Sequence, residues 1–153
     1  MTAFKGANAT KYEAGGSGDN YISDGYIKSV EKVWLDSFTF SDVLTTADTV
    51  VIAKIPANKK ITAVEVYFPS LTPTNATIQV GITGDADKFI TAHPVATSLT
   101  EVGALVAINK AVMNNPDGMS YVTTGATDIL FNLATVAITA PTAGTITTIV
   151  KYT

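Results

Sequence analysis

The chain has 153 residues, of which 46% are hydrophobic and 15% charged, with a net charge of −3 and no cysteine. That length suits one domain able to bury a core without staples. The composition excludes a disordered chain, a disulfide scaffold and a cysteine metal site. The cations are ten lysines and no arginine, without the positive surplus that phosphate recognition needs, which argues against nucleic-acid binding. No apolar run approaches the ~18 residues of a membrane span. Met1–Lys11 has no apolar stretch of the kind a secretion signal carries, so the reading is a soluble chain made in a cytoplasm. Threonine occurs 24 times. Thr, Val and Ile are stiff at χ1 and fit a pleated surface, so the first expectation is an all-β sandwich or barrel.

Residues 1–28 differ from the rest. Gly6, Gly15, Gly16, Gly18 and Gly25 mix with Asn8, Ser17, Asp19 and Asn20, and no period emerges, as expected of a flexible arm. The arm still carries Phe4, Tyr12, Tyr21 and Tyr26. Aromatics in a solvated arm point to docking, either on a partner or back on the chain's own domain.

From residue 29 to 153 the pattern has period 2. In the first strand Val33 and Leu35 share one parity, and Phe38 and Phe40 the other, which predicts a bulge or bend at Asp36–Ser37. Trp34 stands at the parity opposite Val33 and Leu35. It reads either as a core residue or as an interface anchor on an outer face. Thr49–Ile55 is a short apolar strand, and Pro56-Ala57-Asn58-Lys59 a turn. Over 61–68, Val64, Val66 and Phe68 face one way, Glu65 and Tyr67 the other. Over 77–83, Ile78, Val80 and Ile82 point inward; Gly84–Asp87 reads as a turn before Lys88-Phe89-Ile90. A short helical turn is expected near 97–102, suggested by Ser98 and Glu101, and a strand near 104–112. Ile129, Phe131 and Leu133 form the inward row of another strand, and Ile146, Val150 and Tyr152 that of the last. Short strands separated by Gly, Pro, Asn and Asp are the pattern of an antiparallel sandwich.

Signals of chemistry are sparse. The single histidine, His93, precedes Pro94 and reads as an exposed loop residue; a catalytic triad would have to use it, and no nucleophile-elbow glycine motif is present. No set of His, Asp and Glu has metal-ligand spacing. Asp85 and Asp87 are the one weak cation candidate, but two carboxylates fall far short of the 6–8 oxygens calcium takes. Turn residues capping their own backbone is the plainer reading.

Three runs, taken in order, carry a resemblance: Val50–Pro56, Lys60–Val66, and Ala76–Ile82 followed by Gly84-Asp85-Ala86-Asp87-Lys88-Phe89. With the ending, Asp128–Phe131 and Gly144–Tyr152, this chain resembles the capsid decoration proteins of tailed bacteriophages, also called head-stabilising or cement proteins. The likeness runs from Ser29 to the end. It departs at Asn58, where a Gly would be expected, and nothing in about 95–125 matches. The resemblance implies a jelly-roll-like β-sandwich on the outside of an assembled capsid, commonly a homotrimer and sometimes a dimer, bound to the major capsid protein. It implies no chemistry and no cofactor. The partner-binding candidates are then Phe4, Tyr12, Tyr21, Tyr26 and Trp34. Two alternatives stand beside it: a carbohydrate- or receptor-binding sandwich using Trp34, Tyr67 or Tyr121 as a platform, and a small hydrolase built on His93.

Overall fold

The computed structural model describes residues 3–5, 31–39, 43–69, 71, 75–95, 109–139 and 145–153. In chain order the strands are β1 (Ala3–Lys5), β2 (Lys32–Thr39), β3 (Val43–Leu44), β4 (Thr49–Ile55), β5 (Ile61–Phe68) and β6 (Thr77–Ile82). They continue as β7 (Asp85–Pro94), β8 (Asn109–Val112), β9 (Thr127–Leu133), β10 (Ile138–Thr139) and β11 (Thr145–Tyr152). A 3-10 turn spans Pro116–Gly118. One sheet has five strands in the order β1-β4-β9-β6-β7, and a second has four in the order β2-β11-β5-β8. A two-stranded ribbon pairs β10 with β3. Among the described strands every pairing is antiparallel except that of β1 with β4. The expected all-β sandwich is the observed architecture.

Alternation explains why the two sheets close on each other. Val64, Val66 and Phe68 of β5, Ile129, Phe131 and Leu133 of β9, and Ile146 and Val150 of β11 are buried in one core. Ile78 and Val80 of β6 join them. Each such side chain contributes about 1.5–3 kcal/mol by leaving water. Aromatic contacts bridge the layers. Phe38 of β2 meets Phe131 of β9 edge-to-face with centroids 5.5 Å apart, and Phe68 of β5 meets His93 of β7 at 6.3 Å.

Four local expectations are corrected. The predicted bulge in β2 is absent: its register with β11 runs without a break from Lys32 to Thr39. Trp34 and Phe38 both point inward, at 5% and 7% exposure, with Asp36 buried between them, while Val33 and Leu35 point out. The Asp36 carboxylate accepts a bond from the Ser37 amide at 2.8 Å, which lets a polar residue occupy that inward position. The turn after β6 is shorter than expected. It uses Thr83 and Gly84, the glycine at φ +86, and Asp85 already lies in β7. Finally, His93 is no exposed loop residue; it lies in β7, paired with Ile78.

Two residues show what the turns demand. Asn58 has a positive φ of 59°, a conformation Asn tolerates, so it does the work expected of a glycine there. Gly81 of β6 is pressed against the β7 backbone: a Cβ would lie 2.0 Å from the Asp85 carbonyl oxygen. Only glycine fits.

Inside the expected arm, Ala3–Lys5 pairs with Thr49–Val51 as a parallel edge strand. Residues 6–30, with Tyr12, Tyr21 and Tyr26, lie outside the described residues, as do Phe40 and 96–108, which hold the expected helical turn and the first part of the strand near 104–112.

Candidate functional site

The four-stranded sheet turns one face to the core and the other outward, and strand register determines what the outer face presents. Leu35 of β2 pairs with Ile149 of β11, Ile149 with Glu65 of β5, and Glu65 with Val112 of β8. One row therefore crosses all four strands as Leu35, Ile149, Glu65 and Val112. On one side of it runs Val33, Lys151 and Ala63; on the other, Ser37, Thr147, Tyr67 and Lys110.

Large hydrophobic residues concentrate here. Val33 is 57% exposed, Leu35 54% and Val112 46%. Met119, 52% exposed, joins Val112 in lining a groove of about 400 Å3 whose other walls are Thr62, Ala63, Val64, Glu65 and Met113. Exposed aliphatic residues scattered singly are ordinary; three on the outer side of one sheet make this the candidate face.

The two charges at the middle of this face, Glu65 and Lys110, are paired with each other. Lys110 Nζ lies 2.8 Å from Glu65 Oε2, and the Tyr67 hydroxyl donates to the same oxygen at 2.7 Å. Lys110 Nζ also sits 5.1 Å from the centroid of the Tyr67 ring. The hydrogen bond from Lys110, then that from Tyr67, holds the Glu65 carboxyl below its ordinary pKa, and the bond to Glu65 raises that of Lys110. Partly solvated, the pair adds little stability. Its consequence is that the middle of the face carries no uncompensated carboxylate.

A second depression, of about 320 Å3, is lined by Ile82, Thr83, Tyr121, Ala126, Thr127 and Asp128. Asp128 is held by Lys54 at 3.0 Å. The Tyr121 ring stands edge-on to Phe89 at 5.8 Å, with Lys88 Nζ 5.7 Å from its centroid.

The sequence-predicted residues divide as follows. Trp34 is turned into the core, which corrects its reading as an interface anchor: its ring is larger than its aliphatic neighbours and gains more by burial. Phe4 lies in β1, at the opposite sheet's edge. Asp85 is held by Lys88 at 3.2 Å, while the main chain of Asp87 accepts from Asn115 Nδ2 at 2.8 Å. Among the described residues no three His, Asp or Glu gather as a metal set. His93 Nε2 is buried without a partner among the described residues, and that burial lowers its pKa. Sequence reasoning missed the outer apolar face. The usable signal was an aliphatic pair, Val33 and Leu35, on the parity opposite Trp34, Asp36 and Phe38.

No protein-family model and no curated protein matches the chain. Its fold is shared with solved structures. A chain of the Cyanophage Pam1 capsid asymmetric unit superposes with a TM-score of 0.63 at 24% identity, over 86% of this chain and 90% of that one. A chain of the Ralstonia phage GP4 capsid gives 0.67 at 13% identity, over 85% and 88%. A chain of the acidic stable capsid of Helicobacter pylori bacteriophage KHP30 gives 0.53 at 11% identity, over 83% and 90%.

Proposed function

We propose that this chain is a non-enzymatic structural protein of a tailed-phage virion, which binds the outside of the assembled capsid and stabilises it by bridging major capsid protein subunits. The carrying observation is the shared fold: three phage capsid structures each hold a chain that matches along nearly its whole length. The site fits that reading. A broad face whose central Glu65 and Lys110 neutralise each other suits protein contact, where buried unpaired charge would be costly. In this reading the protein sits on the particle as a homotrimer, made in the host cytoplasm and added to the shell, with no cofactor, nucleic acid or membrane in its role. The aromatic residues of the arm, Phe4, Tyr12, Tyr21 and Tyr26, supply further contacts to the shell or to a neighbouring copy.

The alternatives have less to stand on. Of the three rings considered as a sugar platform, Trp34 is buried, Tyr67 is engaged by Lys110, and Tyr121 is flanked by Phe89 and Lys88. His93, the hydrolase candidate, has its Nε2 sealed in the protein.

The test is on the particle. Virions of the phage that encodes the chain should contain it in hundreds of copies by mass spectrometry, and cryo-EM should place it outside the shell. Particles lacking it should release their genome at lower temperature. Purified virions without the chain would refute the proposal.

A further inference from the structure

The groove on the outer face of the four-stranded sheet lies close to the point where residues 6–30 join the sandwich. Glu31, immediately before β2, is exposed, and its carboxylate accepts from the Thr62 hydroxyl at 2.5 Å. Thr62 is itself a wall of the groove, together with Glu65, Val112, Met113 and Met119. The groove lies between β5 and β8, two and a half strand spacings from β2, or about 12 Å. Tyr26 stands five residues before Glu31, so its backbone reaches up to about 17 Å from that anchor.

We propose that the groove is the docking site of the chain's own segment 21–27, with the Tyr26 ring as its anchor. The apolar content of residues 13–29 is concentrated there, in the pairs Tyr21-Ile22 and Tyr26-Ile27. The groove suits an aromatic guest. Methionine sulfur packs favourably against rings and adjusts to their shape, and Met113 and Met119 line the groove with the exposed Val112. Thr62 and Glu65 make the rest of the wall polar. A side chain with an apolar body and a hydroxyl tip therefore fits better than a plain aliphatic one.

Tethering decides between this segment and a separate molecule. A short link presents Tyr26 to the groove at an effective concentration on the order of millimolar, far above that of a second molecule at micromolar level. Charge agrees. A path from Glu31 to the groove passes β11 at Lys151, which pairs with Val33 on one side and with Ala63 of the groove wall on the other. Lys151 makes no ion pair among the described residues, and Asp24, two residues before Tyr26, carries the opposite sign. Glu65 is already paired with Lys110, and Glu31 is engaged by the Thr62 hydroxyl. This inference goes beyond the proposed place on a virion, because it concerns the free chain; on a shell the same tyrosines exchange the groove for the contacts proposed above.

The chain has three methionines, Met1, Met113 and Met119, so carbon-13 labelling of their methyl groups gives three NMR signals. Tyr26→Ala should shift the signals of Met113 and Met119, which lose the field of the ring, and leave Met1 in place. Tyr26→Phe keeps the ring and should leave all three close to wild type. The wild-type positions should not change on dilution, because the contact lies within one chain. Chymotrypsin should cut the folded wild type more slowly after Tyr26 than after Tyr12. Val112→Asp, which puts a charge into the groove at an exposed position and so spares the fold, should abolish that difference. Unmoved Met113 and Met119 signals in Tyr26→Ala, signals that drift on dilution, or equal cleavage after the two tyrosines in the wild type would each overturn the proposal. All are read on the isolated protein, so they fail separately from the question of whether virions contain the chain.

Discussion

Replacing Thr123 by valine isolates the work of one hydroxyl. Thr123 is fully buried, and its Oγ1 donates to the Pro56 carbonyl at 2.6 Å and accepts from the Lys59 amide at 2.9 Å. Its main chain adds two bonds to the same turn, from the Asn58 amide at 2.7 Å and to the Lys59 carbonyl at 2.9 Å. Valine keeps the shape and those main-chain bonds but leaves the Pro56 carbonyl and the Lys59 amide without the hydroxyl. A lost bond costs about 0.5–1.5 kcal/mol, more where the abandoned group stays dry. Pro56 is exposed and Lys59 half-buried, so water reaches part of the site and the sum comes to about 2 kcal/mol. At roughly 2–4 °C per kcal/mol for a chain near this size, the melting temperature should fall by about 4–8 °C. The control is Thr39→Val. Thr39 shares a bond with Thr145 at 3.0 Å in an exposed setting, and its loss should stay within about 0.5 kcal/mol. Thermal melts followed by CD compare the two variants. Equal stabilities for Thr123→Val and Thr39→Val would refute the reasoning.

The remaining predictions concern backbone geometry and pH. Asn58→Ala should cost about 1–2 kcal/mol in urea unfolding because alanine resists the positive φ, whereas Asn58→Gly should be close to neutral. Gly81→Ala should cost 3 kcal/mol or more, since its Cβ would strike backbone atoms of Asp85 and Ala86 rather than a movable side chain; a soluble variant of unchanged stability would contradict the placement of β6 against β7. His93 has its folded-state pKa lowered below 6.5 by burial, so the unfolded chain takes up the proton first. Stability is then fully present above that value and falls as pH drops through it. Urea midpoints between about pH 7.5 and pH 5.5 should decline more steeply for wild type than for His93→Phe.

Much of the fold could be read from alternation, because on β5, β9 and β11 a clean two-residue period meets a core on one side and water on the other. What alternation cannot supply is the spatial order of strands. Nothing in the sequence around Leu35 says that Ile149 will lie beside it, or that Glu65 and Val112 will complete the row. The candidate face therefore existed in the sequence only as fragments whose paired residues lie between 47 and 114 positions apart. Thr123 was illegible for a related reason. Most threonines among the described residues are exposed or half-buried, and Thr123 differs only in what surrounds its hydroxyl.

The first strand shows where the reading went wrong and what would have corrected it. Apolar residues occur on both parities of β2, and taking both as core-facing forced a bulge that the continuous pairing with β11 rules out. Comparing what each face would bury settles the choice without one. An aromatic ring removes about 150–250 Å2 from water, so turning Trp34 and Phe38 inward gains more than turning Val33 and Leu35 inward. The inward choice also brings Asp36 into the protein, which would be prohibitive for an unbonded carboxylate but is eased by the Ser37 amide. With the aromatics inside, Val33 and Leu35 have to face out on a regular strand. They are exposed by the same packing decision that buried Trp34, so the apolar ridge is built into the fold, and any substitution that kept it while losing Trp34 or Phe38 would lose the sandwich first.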